Sequence, residues 1–409
     1  MSGAREVDCV VVGAGLAGAT LAVGLAECGL SVVTVDARSR TAEAPGRDVR
    51  GLALAPATQH LFARLGLWDA LLPQVNPLRE IVVSDRGQFG SAVLSCAALG
   101  VPALGYVCPA DVLLARLDGA LMNLSAVTPC WHATVADIAP RAGRVELRVV
   151  HADADEGERL STRLLVAADG LHSSVRAHFG IEVTSRDYGQ SAIVCNADVE
   201  RPRPHTAFER FTREGPLAVL PHGGRRVVIV RAARNEEVAG LMHLTDEAFL
   251  ADVQARFGLR LGRFSSAGER RAYALSLNRA RSLIASRTVL VGNAANTIHP
   301  NGAQGLNLGL RDVATLLDLI ANAVDRGEDI GAPALLDDYA RRRKPDQDRT
   351  VRFSDGLARA FGLDLAPLNA LRGAALLACD LLPPVKHALM WRLMGLRGET
   401  NPWLRAPPA

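Results

Sequence analysis

Three glycines in the spacing Gly13-x-Gly15-x-x-Gly18 follow the apolar run Val7 to Val12 and open a stretch of helical composition, Thr20 to Cys28. At the end of a strand and the start of a helix, each glycine has a separate duty. Gly13 allows the tight turn, Gly15 lets the backbone approach a pyrophosphate, and Gly18 lets helix and strand pack closely while the helix N-terminus faces the anion. Gly29 is expected to stop the helix, and Ser31 to Val35 reads as a second buried strand ending at Asp36. A carboxylate there accepts hydrogen bonds from ribose hydroxyls and repels a 2′-phosphate, which favours FAD or NAD over NADP at this site.

Two further stretches have the same grammar. Leu164 to Ala167 is a short apolar strand that leads into Asp169-Gly170, with Ser173 and Arg176 placed to cap and neutralise the next helix start. Asp169 could orient a ribose or pyrophosphate, or the pair could be an ordinary turn. Val289 to Val291 is a third such strand. It ends at Gly292-Asn293 and runs through Pro300, Gly302 and Gly305 into a strong helix, Gln304 to Ala323. That helix start, with unpaired N–H groups and about half a positive charge, suits the negative charge that gathers on one edge of a reduced flavin.

Composition narrows the class. The 409 residues are 49% hydrophobic and 22% charged, enough to bury a large core in two or three domains. Forty-six basic against 43 acidic residues leave a formal +3, too balanced for a protein that wraps nucleic acid. Seven scattered cysteines contain no C-x-x-C pair and read as reduced thiols, so neither a disulfide framework nor a metal site is expected. No cleavable leader is visible, and no apolar run reaches the ~18 to 20 residues that span a bilayer. A cytoplasmic protein is expected, one that could rest peripherally on the inner membrane.

The remaining elements must position these turns. An irregular Arg-rich stretch from Arg38 to Arg50 is followed by helices near Pro56 to Leu65 and Asp111 to Leu121. Alternating strands are expected at Ala133 to Ile138 and Arg144 to Val150, before a turn-rich segment from Asp153 to Gly157. From Ile181 to Leu275 the texture is alternating strand, as in Phe208 to Thr212 and Arg226 to Val230, with a helical insert near Asp246 to Phe257. This reads as a second domain inserted into the first. The tail after Thr350 is helical and punctuated by Pro367, Pro383 and Pro384.

Taken in order, the three glycine-marked elements resemble the class A flavoprotein monooxygenases of the para-hydroxybenzoate hydroxylase fold. Asp48 to Leu54, Phe208 to Thr212 with Gly215 to Pro221, and Gly292 to Asp312 are most similar to the ubiquinone-biosynthesis hydroxylases, in particular the 2-polyprenyl-6-methoxyphenol hydroxylase group. The likeness covers Val7 to Leu396. It implies an α/β fold: a Rossmann-like FAD-binding domain, an inserted, mainly antiparallel β-sheet substrate domain, and a helical C-terminal tail. The implied division gives the FAD-binding domain residues 1–75, 106–180 and 276–349, the substrate domain 76–105 and 181–275, and the C-terminal helices 350–409.

The resemblance also implies cofactor contacts. They fall on Gly13, Gly15, Leu16, Ala17 and Gly18, on Asp36, Ala37 and Arg38, and on Arg50 in a loop beside the isoalloxazine. The backbone of Val135 would meet the adenine, and Asp169 would serve both FAD and the pyridine-nucleotide path. Gly292, Asn293, Pro300, Gly302, Gly305, Leu306 and Asn307 would lie around the flavin ring and ribityl chain. Asn293 stands where the wider family has an aspartate, and Asp111 where many relatives have an arginine that reaches FAD. Leu217, Val219 and Pro221 would line the substrate side, although ordinary strand packing explains their apolar character equally well.

The implied reaction is hydroxylation of an electron-rich ring, that of a polyprenylated phenol, through a flavin C4a-hydroperoxide formed with NADPH or NADH and O2. No catalytic side chain is required; His222 and His299 are candidate proton handlers or structural histidines. A hydroxylase of a small soluble aromatic, or a non-catalytic flavin-binding subunit of a biosynthetic complex, stands as the alternative. An NAD dehydrogenase would explain only the first motif. Trp68, Trp131, Trp391 and Trp403 are isolated, so the W-x-W-x-I-P run of flavin halogenases is missing. The basic, apolar segment Val385 to Arg397 is read as a docking helix, a membrane contact or a partner site.

Overall fold

In a computed structural model, residues 4–39, 50–152, 157–362, 366–397 and 401–406 are described. Asp48, Val49, most of the Arg-rich stretch and the turn at 153–156 lie outside them. The first strand, Arg5–Val12, is buried at Val7 and from Cys9 to Val12, so it must be covered on both faces. It pairs in parallel with Val32–Asp36 on one side and Glu158–Ala167 on the other. Val127–Trp131 and Thr288–Leu290 extend the sheet outward, again in parallel. The chain therefore leaves Val12, Asp36, Trp131, Ala167 and Leu290 along one edge, where open α/β sheets bind ligands.

An antiparallel hairpin, Ala133–Arg141 with Arg144–His151, and the short strand Ile284–Ala285 complete eight strands. Glu158–Ala167 is much longer than the expected four-residue strand, because its first half pairs with this hairpin.

A second sheet of nine strands is built around Val183–Val199, which pairs antiparallel with Arg226–Arg234 and Arg271–Ala280. Leu217–Pro221, Thr206–Phe211, Glu80–Asp85 and Ser91–Ser95 continue it, and only Thr206–Phe211 with Glu80–Asp85 is parallel among the described pairings. The helix Asp246–Phe257 begins at the Thr245 N-cap and buries Phe249, Val253 and Phe257 against Ile193, Cys195 and Ile229. A three-stranded sheet of Gly51–Leu54, Gly105–Pro109 and Asn76–Leu78 lies apart from both. The fold is thus the expected mixture of a Rossmann-like sheet, a mainly antiparallel sheet and a helical C-terminal region.

One helix differs from expectation. Pro333–Gly362 is continuous through Pro345, so the expected boundary at 349/350 falls inside it. Its buried face recurs every three or four residues at Leu336, Tyr339, Arg343, Gln347, Thr350 and Ser354. That packing holds the helix across the one backbone donor that proline removes.

Candidate functional site

The three glycine-marked turns meet. Gly13 has φ +94°, and a Cβ there would strike the carbonyl of Ala168 and come within 2.7 Å of the Asp169 Cα. At Gly18 a Cβ would run into the Gly13 carbonyl oxygen. Gly292 has φ +61° and would bring a Cβ to 3.1 Å from that of Ala17; its own Cα blocks any side chain on Gly309, one turn into the helix Gln304–Asp325. Around Gly15, by contrast, nothing lies within 4 Å of the Cβ position. Gly15, Leu16 and Ala17 are half-buried at the open edge of this junction. A backbone with space in front of it at a helix start is what an incoming pyrophosphate requires.

At the neighbouring strand end, Asp36 accepts from the Ala14 N–H at 2.6 Å and from the Arg38 N–H at 2.8 Å. The Arg38 guanidinium donates to Ala14 O at 2.5 Å and to both oxygens of the buried Asp118, and it lies 4.8 Å from the centroid of the Trp131 ring. Ala37 is exposed, and Val135 is half-buried on the adjoining hairpin. Trp131, next to Asp36 in the strand register, has its indole N–H buried without a partner. It had no distinguishing sequence signal, because the register that brings it there depends on a residue ninety-five positions away.

Asp169 divides its carboxylate. Oδ2 accepts from the backbone N–H and hydroxyl of Ser174, at 2.7 and 3.1 Å, whereas Oδ1 is buried with no partner. Ser173 accepts from the Arg176 N–H as expected, and the Arg176 guanidinium ties Leu171 O to Ala294 O, joining the second and third turns.

The third turn is held from behind. Asp312 on the long helix accepts from the Gly292 N–H at 3.3 Å, from Arg343 at 2.6 Å and from Gln347 at 2.9 Å. Burial pushes the Asp312 carboxyl up, and the adjacent guanidinium opposes that shift. Asn293 is exposed at the strand edge, and Pro300 and Gly302 are exposed in the following loop. Gly302 and Ala303 have consecutive left-handed conformations, φ +68° and +52°. For the alanine this costs about 1 to 2 kcal/mol, and strain of this kind concentrates at binding loops. Gly305 and Leu306 are half-buried in the first turn of the helix.

Asn307 has a different employment. Its side chain accepts from the Ala55 N–H and the Thr58 hydroxyl and donates to Ala53 O and Ala303 O, all between 2.8 and 2.9 Å. The amide is fully used in fastening this helix start to the segment after Arg50, so only its backbone is left for a ligand. Arg50 lies 5.3 Å from the Tyr273 ring centroid. Asn296 and Asn301, both within the third motif, have buried amides with no partner on either atom. The motif contained them, but nothing in the sequence distinguished them from Asn307.

His299 accepts from the Asn301 N–H through Nδ1 at 3.3 Å and meets Tyr188 edge-on at 4.9 Å. Burial lowers its pKa to about 4, so the ring is neutral, with Nε2 buried and unpartnered. His222 also has a lowered pKa, from burial and then from Arg226.

On the second sheet, Leu217 and Val219 turn into the core beneath the helix Asp246–Phe257, and Pro221 is buried on the same side. Strand alternation gives Ala218 and Leu220 to the opposite face, where Leu220 packs near Val107 of the small sheet. Glu209 pairs with Ala218 on that face. Burial pushes its carboxyl up to about 7, and no hydrogen bond or ion pair among the described residues holds it. Among the described residues there is no cluster of His, Cys, Asp or Glu that could hold a metal, and no helix long and apolar enough to cross a membrane.

Residues 6–354 match the family described as FAD binding domain. Ubiquinone hydroxylase UbiL of Rhodospirillum rubrum is 38% identical, over 96% of this chain and 90% of that protein. The 3-demethoxyubiquinol 3-hydroxylase of Escherichia coli is 29% identical, over 96% and 99%. The structure is similar to that of p-nitrophenol 4-monooxygenase PnpA from Pseudomonas putida, with a TM-score of 0.78 and 16% identity over 96% of this chain and 98% of the other.

Proposed function

The chain belongs to the FAD-binding domain family, in the group that contains ubiquinone hydroxylases, and on that premise we propose that it hydroxylates a polyprenylated aromatic precursor of ubiquinone. The observation that carries this reading is the meeting of three turns, at Gly13, Asp169 and Gly292, on one sheet edge with open space at Gly15.

FAD, when bound, would pass two electrons from NADPH or NADH to O2, so that one oxygen atom enters the ring and the other leaves as water. The rest of the chemistry belongs to the chain. The N–H groups from Gly15 to Ala17 would receive the pyrophosphate, with Gly13 and Gly18 holding their turn. Asp36 would take the ribose hydroxyls, bordered by Ala37, Arg38 and Val135. The orphaned Oδ1 of Asp169 and the unpartnered amides of Asn296 and Asn301 are buried polar groups that a bound cofactor or substrate would satisfy. Asn293, Pro300, Gly302, Gly305 and Leu306 would border the ring system, the helix start offering positive potential to its negative edge. Arg50 would close the other side.

For the substrate, the face that carries Ala218 and Leu220 is the better placed, with Leu217, Val219 and Pro221 supporting it from the core. An apolar wall holds a greasy ring and excludes water from the reacting atoms. The C-terminal helices Ala366–Leu381 and Pro383–Leu393, with Leu382 between them, expose Leu371, Leu381, Leu382 and Val385, and the exposed Phe89 sits in the turn that abuts Gly373. We propose that this rim rests on the membrane where a polyprenyl tail resides.

The test is turnover by the FAD-loaded protein with NADPH or NADH and a polyprenylated phenol, with products identified by mass. Stoichiometric hydroxylated product supports the reading, as does accumulation of the unhydroxylated lipid in a deletion strain. Coupled turnover of small hydroxybenzoates alone would replace it with hydroxylation of a soluble aromatic. Retention of FAD without any ring-dependent oxidation would make the chain a flavin-binding subunit.

A further inference from the structure

Beside the helix Gln304–Asp325 lies a cavity of about 950 Å³ to which the proposed reaction assigns no role. It opens between the helix Gln304–Asp325, the helix Pro333–Gly362 and the C-terminal segment around Gly395 and Pro402. Its charge is lopsided: six arginines line it against two aspartates, Asp318 and Asp346. Three of the six are matched within the protein. Arg342 pairs with Asp318 and Asp338, Arg343 with Asp312 and Asp346, and Arg311 with Asp346 at 2.8 Å.

The other three are not. Among the described residues, neither Arg349 nor Arg397 has an ion-pair partner, and Arg392 donates only to the Arg349 carbonyl while stacking near Phe353. Arg311 adds a fourth donor. Its side chain is only 7% exposed, and beyond its bonds to Asp346 and Thr350 its Nη1 is buried with no partner. A buried guanidinium nitrogen without an acceptor is costly and seldom left so. Arg349 and Arg397 are exposed at the cavity mouth and Arg392 is half-buried between them; burial, and after it the charges of Arg349 and Arg397, push the Arg392 guanidinium down.

We propose that this cavity is a binding site for a phosphate-bearing anion, held by Arg311, Arg349, Arg392 and Arg397. Guanidinium forks match phosphate oxygens in pairs. A small cluster of like charges that stability alone would disfavour is explained by a ligand that neutralises it. The volume admits a ligand of nucleotide size or a lipid headgroup. Gln304 connects the cavity to the loop on its other side, because its amide donates to Gly302 O and Leu393 O. The proposal does not depend on the hydroxylase reading.

Inorganic pyrophosphate is the probe, titrated calorimetrically into the full-length, FAD-loaded protein. One equivalent should bind and raise the melting temperature. The Arg349→Gln/Arg397→Gln variant should bind at least tenfold more weakly and melt, without ligand, no lower than the parent, since neither side chain has an ionic partner among the described residues. Arg397→Gln alone should weaken binding at least threefold, whereas Arg281→Gln, on an exposed pair with Glu182, should not. Cosedimentation with phosphatidylglycerol vesicles separates the sources. Vesicle binding that the double variant loses and pyrophosphate competes away assigns a lipid headgroup; pyrophosphate binding without it assigns a soluble ligand. Absence of pyrophosphate binding, or equal binding by parent and double variant, overturns the site.

Discussion

Gly15 and Gly18 belong to one motif, yet their surroundings predict opposite failures. Gly15 has φ −69° and open space at its Cβ position, so Gly15→Val should leave the unliganded protein within about 0.5 kcal/mol of the parent. Its FAD affinity should fall at least tenfold, about 1.4 kcal/mol or more, in a fluorescence titration. Gly18→Ala would drive a methyl into the Gly13 carbonyl and should instead reduce soluble yield and melting temperature. Equal loss of stability in both variants would mean that Gly15 is structural. Glu209 poses a question of sign. Its folded pKa of about 7 lies above the ordinary 4.5, so the folded chain binds the proton more tightly. Stability should then fall as pH rises through that window. Because solvent still reaches this half-buried carboxyl, Glu209→Gln should gain roughly 1 to 2 kcal/mol at pH 8, less than full conversion of the shift. At pH 4, where both chains carry a neutral group, urea unfolding should find almost no difference.

The start of the long helix shows what a motif reveals and what it conceals. The buried parallel strands were legible because both faces are apolar, and the three turns because glycine marks each one. Asn307 was legible as a member of its motif but not as a fastener, because Ala53, Ala55 and Thr58 are some 250 positions away. The phase of Leu217–Pro221 was equally hidden: an apolar strand does not announce which face a later helix will cover. Pro345 lies inside the helix Pro333–Gly362, and the packing of Tyr339, Arg343 and Gln347 shows why the helix continues through it. Asn307→Ala should therefore lower the stability of the cofactor-free protein by about 2 to 4 kcal/mol, since it strands buried groups at Ala53 and Ala55. Asp312→Ala should cost about 3 to 5 kcal/mol by leaving Arg343 charged and buried against only Asp346. Both are measurable by urea unfolding. A loss of FAD affinity at unchanged stability in Asn307→Ala would return that side chain to the cofactor.

At the scale of the whole molecule, a protein without a membrane-crossing helix among its described residues needs another way to meet the lipid-dissolved substrate proposed for it. The apolar rim is assembled from segments distant in sequence. The turn at Phe89 abuts the helix Ala366–Leu381, where Gly90 and Gly373 lie too close for a side chain on either, and Asp380 binds the Val93 N–H and Lys386. Phe89 is 83% exposed, Leu381 66% and Leu382 50%. Ordering three apolar groups in water gains the fold nothing, whereas about 25 cal/mol per Å2 of buried apolar area is recovered at an interface. Leu381→Asp/Leu382→Asp should therefore fold with an unchanged melting temperature and lose most of its flotation with liposomes. Its turnover should fall for a long-tailed phenol in vesicles but not for a short-tailed analogue in solution, because only the first must be drawn from the bilayer. If both substrates suffer equally, the rim packs against something within the catalytic unit, and delivery from the lipid must occur elsewhere on the surface.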